Sequence, residues 1–347
     1  MTNVAVTGIN GTIGQRLLER LGADADVGRV IGVDIDEPVA GSPKLEFHQA
    51  DVRDARLGKI LVGSDVVVHL AFQHDPIRDT EKMRAMNVDG TRSVLEAAGA
   101  VGVRKIVYPS STTVYGAHPD NDFPLTEDSP LRANTDFAYA AQKAETEGLF
   151  VRFRAEHPDV VVTVLRAAVV LGPTVENFIS RMLEAPRLLA VKGYAPPFQF
   201  VHEEDVADAL ALAVRSDLDG VYNVAADGWM TADEIVAVTG KKRVELPEAV
   251  AFSMAERLWR TGLTTAPPGE LHYVMHPWVA DNTRLRSAGW IPAHSNRQAL
   301  DAALEARRSW ISLGRARMRK DSLAKGAAAT LGAVAAMAVL RRSRSRG

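Results

Sequence analysis

The chain has 347 residues, is 46% hydrophobic and carries a formal net charge of −2. This apolar content builds a large core, and the near-neutral charge argues against a nucleic-acid binder along the whole chain. The absence of cysteine excludes disulfides and thiolate metal sites, which fits a reducing compartment.

No basic segment or cleavage-like pattern precedes the first strand, so the expected location is the cytoplasm. That strand, residues 4–6, runs into a glycine-rich turn: Gly8, Ile9, Asn10, Gly11, Thr12, Ile13, Gly14. Gly8 can turn sharply because it lacks Cβ and tolerates positive φ. Gly11 lets the backbone approach a ligand, and Gly14 lets the next helix, residues 15–21, pack closely on the sheet. The N–H groups at the helix start then face a bound anion, which makes the turn a pyrophosphate cradle. A second strand, residues 30–33, ends in Asp34, about where a ribose-binding carboxylate is expected.

More β-branched runs follow at residues 66–69, 105–108 and 161–165, with helical patterns at 80–99 and 134–156. These runs do not alternate with polar residues, so they read as strands buried on both faces. Strands alternating with helices indicate an α/β fold with a Rossmann-type, doubly wound parallel sheet. After Arg166 the rhythm becomes irregular, with Pro173, Pro186, Pro196 and Pro197. A strand at 198–201, a helix at 204–214 and a strand at 221–224 follow. The expected organisation is a dinucleotide-binding core over 1–166, completed by about 199–226. A smaller substrate lobe is expected from 167–198 and 227–312, over the carboxyl edge of the sheet.

Residues 313–347 form a basic, alanine-rich tail. From Arg315 onward it carries nine Lys/Arg and one acid, Asp321. Its uncharged run, residues 326–340, would span roughly 22 Å as a helix, short of a ~30 Å hydrocarbon core. A frayed tail, a peripheral membrane contact through 315–347 and a packing or dimer helix all remain open for it.

Tyr139 and Lys143 lie one helical turn apart, on one face of the predicted helix. A nearby lysine favours the phenolate, so the phenol is expected to exchange a proton with an alcohol or carbonyl near neutral pH. The alternative is a solvated helix face. Upstream, Ser110, Ser111, Thr112 and Thr113 cluster where a strand ends. Such hydroxyls often only turn the chain, but beside a nicotinamide one could hold a reacting oxygen. His69 and His202 each adjoin an apolar run and read as satisfied core histidines. No His/Asp/Glu spacing marks a metal site.

Taken in order, these motifs resemble a known family. Gly8-x-x-Gly11-x-x-Gly14, Asp34, Asp51-Val52, His69-Leu70-Ala71, Asn87-Val88-x-Gly90-Thr91, Ser110 through Gly116 and Tyr139-x-x-x-Lys143 resemble the extended short-chain dehydrogenase/reductases. The likeness is closest to the NAD-dependent epimerase/dehydratase group that includes UDP-glucose 4-epimerase. It continues through His202-Glu203-Glu204-Asp205-Val206 and Gly289-Trp290-Ile291-Pro292, over about residues 3–300.

The resemblance implies NAD as cofactor. Gly8, Asn10, Gly11, Thr12, Ile13 and Gly14 would line the pyrophosphate, Asp34 would take the ribose hydroxyls, and Asp51 and Val52 the adenine. Leu70, Ala71 and Asn87 would flank the cofactor. Ser111 would be the catalytic hydroxyl, Tyr139 the acid/base and Lys143 its partner. The lesser alternative for Asp51 is a loop carboxylate at a strand end, and for Asn87 a residue that caps or stitches the sheet. A carboxylate at Asp34 favours NAD over NADP, since it repels a 2′-phosphate. The implied homodimer pairs the helices at 80–99 and 134–156.

Two positions depart from the group's pattern. Val169 stands where its nucleotide-sugar epimerases carry asparagine, and Phe198 where they carry a diphosphate-clamping arginine. These changes predict a more apolar pocket. Three readings follow: hydride transfer on a nucleotide sugar, a 3β-hydroxysteroid-dehydrogenase-like enzyme on an apolar alcohol or ketone, and a dinucleotide-sensing or scaffold protein without catalysis.

Overall fold

Short runs of valine and isoleucine with no polar face are stable only when both faces of the sheet are covered. The computed structural model describes residues 1–38, 41–313 and 316–319 and shows how this is done. In chain order the first part of the fold comprises β1 (Thr2–Thr7), α1 (Thr12–Ala23), β2 (Val27–Asp34), β3 (Leu45–Gln49), α2 (Leu57–Ile60), β4 (Val66–His69) and α3 (Thr80–Arg84). A π turn (Ala85–Asp89) joins α3 to α4 (Gly90–Val101); β5 (Lys105–Ser111), α5 (Ala138–Glu156) and β6 (Val161–Ala167) follow.

The chain then runs through β7 (Val169–Leu171), α6 (Phe178–Met182), β8 (Leu188–Val191), β9 (Phe200–His202), α7 (Glu203–Arg215) and β10 (Gly220–Val224). Beyond these lie α8 (Ala232–Thr239), β11 (Arg243–Leu246), α9 (Glu248–Thr261), a 3₁₀ turn (Pro268–Val274), α10 (Thr283–Ser287), α11 (Asn296–Ala306) and the hairpin β12 (Trp310–Leu313) and β13 (Ala316–Arg319).

Seven strands form one sheet in the order β10-β6-β5-β4-β1-β2-β3, with every neighbouring pair parallel. On one face Val4, Val6, Val66 and Val68 pack against Leu17 and Leu21 of α1 and Val206 and Leu210 of α7. On the other, Ala5, Ile31, Val67 and Ile106 meet Val94 of α4 and Phe150 of α5. Each large apolar side chain buried this way contributes roughly 1.5–3 kcal/mol. The strand order reverses between β1 and β4, which opens a crevice at their carboxyl ends.

β3 lacks the signal that marks the other strands. It is an edge strand of sequence Leu-Glu-Phe-His-Gln, with no fully buried residue. Residues 134–137, expected to be helical, instead form the loop before α5. There Asn134 accepts the Ala117 N–H at 2.9 Å, and Phe137 is extended. After β6 the chain leaves the sheet and builds the pairs β7–β9 and β8–β11. Leu171, Ile179, Leu183, Phe200, Ile235 and Leu300 form a separate core there.

The tail beyond Arg319, with its expected membrane contact, lies outside the described residues. Among the described residues, no helix is long and apolar enough to cross a membrane.

Candidate active site

A cleft of about 630 Å³ follows the carboxyl ends of β1, β2, β4 and β5 and continues under the segment after β6. Gly8, Asn10, Gly11, Thr12, Ile13, Gly14, Asp34, Asp51, Val52, Leu70, Ala71, Ser111, Tyr139 and Lys143 all line it. The sequence motifs, up to 135 positions apart, thus meet in one groove.

One end is built mostly from backbone. Gly8 has φ +71°, and a Cβ there would lie 2.6 Å from the Ala71 nitrogen, so the β1 and β4 loops can approach only around a glycine. Gly14 faces the Gly8 carbonyl just as closely, where a Cβ would lie 2.5 Å away. Gly11 caps α1 with extended backbone and no side-chain cap, which leaves the first-turn N–H groups for an anion. Asp34 accepts the Asn10 N–H at 2.9 Å and the Ile35 N–H at 2.8 Å, so its carboxylate is fixed beside the turn. The Asn10 amide donates to the Asp36 and Glu37 carbonyls at 2.7 and 3.0 Å and staples the two loops together.

Asp51 is paired with Arg53 at 2.6 and 2.9 Å, and this bond holds its carboxyl below the usual range. Leu70 and Ala71 form the cleft's central wall. Asn87 sits behind that wall rather than in it. It is fully buried, accepts the Gln73 N–H at 2.6 Å and donates to Gln142 at 2.8 Å. Its position matches the stitching alternative; it holds the loop that carries Phe72 and His74.

At the centre stand Ser111, Tyr139 and Lys143. The Ser111 hydroxyl accepts the Thr113 N–H at 3.2 Å and lies near enough to the Tyr139 phenol to pull its pKa down. Lys143 donates to the Pro109 carbonyl at 2.9 Å and lies 3.7 Å from the centre of the Phe72 ring. Burial pushes the phenol up to about 12, against the pull of Ser111. It pushes the ammonium down to about 7, against the pull of Glu147.

In this arrangement burial, opposed by Ser111, sets the direction of the Tyr139 shift. The lysine is engaged with a carbonyl and an aromatic face, and burial weakens its hold on the proton. Burial thus biases the phenol toward its protonated form.

Both histidines are structural. His69 lies between the Thr7 and Thr91 hydroxyls at 2.7 and 2.9 Å, and burial drives it down to about 3. His202 accepts the Glu204 N–H at 3.2 Å and stacks on His294, with ring centres 3.9 Å apart.

The other end of the cleft is lined by His74, Asp75, Asn177, Arg181, Glu270 and Trp278, none of which belongs to a recognisable motif. Arg181 is paired with Asp75 at 2.6 Å. His74 packs near Tyr139, with ring centres 6.0 Å apart, and burial lowers it to about 4. Val169 lines the cleft as expected. Phe198 does not: it packs on the core built around Leu171 and pairs with Met230. The far end thus combines apolar walls, Val169, Val170, Val175 and Trp278, with the charged groups of Asp75, Arg181 and Glu270.

Sequence reasoning also left Glu203 and Asp205 without a role. Fully buried Glu203 accepts the Thr174 and Val175 N–H groups at 3.2 and 3.1 Å and holds the loop over the cleft. Asp205 does the same for the Ala293 and His294 N–H groups, at 3.0 and 3.1 Å.

A model of the NAD dependent epimerase/dehydratase family matches residues 4–225. The chain belongs to this family. It is 28% identical over 308 residues to the uncharacterized protein Rv0501 of Mycobacterium tuberculosis, covering 86% of this chain and 82% of that one. It is also 28% identical over 258 residues to dTDP-glucose 4,6-dehydratase of Streptomyces griseus, covering 68% and 77% of the two chains. Among solved structures, MoeE5 in complex with UDP-glucose and NAD superposes with a TM-score of 0.69 at 25% identity, covering 88% of this chain and 98% of that one.

The chain is therefore an NAD-dependent enzyme of the extended short-chain dehydrogenase/reductase type, and NAD is its cofactor. The groove fits that cofactor on its own geometry. A Cβ at Gly8 would close the turn, the α1 N-terminus is uncapped and Asp34 is held at the cleft wall.

Proposed function

We propose that this enzyme works at a hydroxyl-bearing carbon of a nucleotide sugar, as an epimerase or a dehydratase. The observation that carries this reading is that the cleft holding Ser111, Tyr139 and Lys143 also presents the charged side chains of Asp75, Arg181 and Glu270, groups suited to a polyhydroxylated substrate. The name of the Streptomyces relative and the UDP-glucose bound to MoeE5 support the same substrate class.

NAD, when bound, supplies the hydride acceptor and donor. Ser111 holds the reacting oxygen and steadies its developing charge. Tyr139 gives that oxygen a proton or takes one away. For removal of a proton the phenolate must be favoured, which requires Lys143 charged and near it. Asp34 holds the ribose hydroxyls, and the Gly8–Gly14 turn holds the pyrophosphate. Asp51 and Val52 border the adenine.

The reading extends to assembly. A homodimer would pair the segments at 80–99 and 134–156, and the tail at 315–347 would contact membranes. Sedimentation and vesicle flotation test these two points.

The site reading is tested by denaturing the purified protein, identifying released dinucleotide by mass spectrometry, and assaying UDP- and dTDP-sugars. Retained NAD with conversion of a nucleotide sugar is the expected result. Freely exchanging NAD, with turnover of sterols or other apolar alcohols only, would overturn it.

A further inference from the structure

At the far end of the cleft, two charged side chains keep buried polar atoms without partners. Glu270 is 5% exposed and lines the cleft, yet its Oε1 has no hydrogen-bond partner. Arg181 binds Asp75 through its terminal nitrogens, at 2.6 and 3.5 Å, while its Nε is buried and unpartnered. Among the described residues, no ion pair joins Glu270 to Arg181.

The position of Glu270 is imposed by its neighbours. A Cβ on Gly269 would lie 2.5 Å from the Asp136 carbonyl oxygen and 2.8 Å from the Phe137 nitrogen. Only a glycine lets the 3₁₀ turn press on the backbone just before Tyr139. The same turn is clamped by Tyr273, which donates to the Thr113 carbonyl at 2.9 Å, and by His272, bonded to Asp136 at 2.9 Å. The turn that carries Glu270 is thus fixed against the segments that follow Ser111 and precede Tyr139.

Burying a carboxyl without a partner is costly, and the fold gains nothing from it. A ligand that completes the site would recover the loss. Glu270 offers an acceptor, and Arg181 offers an Nε–H donor. A hydroxyl serves both, because it donates and accepts. A carboxylate or phosphate would give up its water beside an arginine whose charge the Asp75 carboxylate already balances, so no net positive charge would receive it. Burial raises the Glu270 pKa well above the usual carboxyl range, with Arg181 pulling it down and Asp75 pushing it up. Whether charged or neutral, the group accepts a hydrogen bond from a hydroxyl.

We propose that Glu270 and Arg181 form the subsite that reads an uncharged hydroxyl of the substrate's sugar ring and disfavours an anionic group there. This rests on the nucleotide-sugar reading above. The test uses the full chain with its retained NAD and compares wild type, E270L and E270Q by steady-state kinetics and thermal melting, with UDP-glucose and UDP-glucuronate as probes.

E270L removes the hydrogen bond at similar volume. Its Tm should equal or exceed that of wild type, because the unpartnered carboxyl is gone, while KM for UDP-glucose rises about 10-fold and kcat changes less than about threefold. E270Q should restore KM to within about threefold of wild type, since an amide still hydrogen-bonds the hydroxyl. Wild type should favour UDP-glucose over UDP-glucuronate in kcat/KM.

A purely structural role predicts a lower Tm for E270L. That result, or a KM within twofold of wild type, would overturn the proposal, as would a preference for the uronate. If wild type turns over neither nucleotide sugar, the reading of the whole site falls with it. Wild-type turnover with an unmoved E270L fells the subsite alone.

Discussion

The two ends of the cleft are built by different means. The dinucleotide end is local: Gly8, Asn10, Gly14 and Asp34 lie within one strand–turn–helix–strand unit and act largely through backbone. The far end is assembled from Asp75 in a loop, Arg181 in α6 and Glu270 in a 3₁₀ turn, three segments distant in the chain that act through their side chains. A backbone site tolerates few residue types, so it leaves a pattern in the sequence. A side-chain site can be met by many combinations, so a single sequence does not mark it.

The largest effect that would sharpen this contrast lies between the two ends. Tyr139→Phe should lower turnover about 10³-fold with NAD affinity within a few-fold, by stopped-flow kinetics and calorimetry. Retained turnover would remove Tyr139 from the acid/base role. Next is Gly8→Ala, which forces a Cβ to within 2.6 Å of the Ala71 backbone. We expect a stability loss of about 2–4 kcal/mol in urea melts, together with loss of NAD binding. An unperturbed melt would mean that the turn relaxes freely.

Asp34→Ala should weaken NAD about 10- to 100-fold, and Asp34→Arg should shift the preference toward NADP. Calorimetry with both dinucleotides reads this directly. An unchanged preference would assign the ribose to another residue.

The smallest effect is on pH dependence. Lys143 holds its proton to about pH 7 when folded and to the ordinary lysine range when unfolded. Between those values the unfolded chain binds the extra proton, so this group adds stability as pH rises from about 7 to about 10. Lys143→Met should flatten that slope in melts across the window. The same slope in both proteins would refute a depressed lysine.

Legibility followed the same division. The valine-rich strands were readable because burial on both faces forbids polar alternation, and β3 was not because it is an edge strand with Glu46, His48 and Gln49. Asn134 to Phe137 read as helix by pattern, but tertiary bonds to the Ala117 loop hold them extended or turned. Ser111, Tyr139 and Lys143 were legible through spacing and family likeness. The surroundings of Lys143 were not, because they are built by Phe72 and Tyr108, far away in sequence. Phe198 misled because its neighbours in the chain gave no sign that it turns into the core with Met230. Glu270 carried one faint signal, the glycine before it, and its meaning appears only beside Asp136.

The most direct test of the account is to incubate the purified enzyme, with its retained cofactor, with UDP-glucose and with dTDP-glucose and follow the sugar carbons by NMR. The account predicts inversion or dehydration of one of these sugars, abolished in Tyr139→Phe. No change in either sugar, with NAD reduced instead by an apolar alcohol, would contradict it.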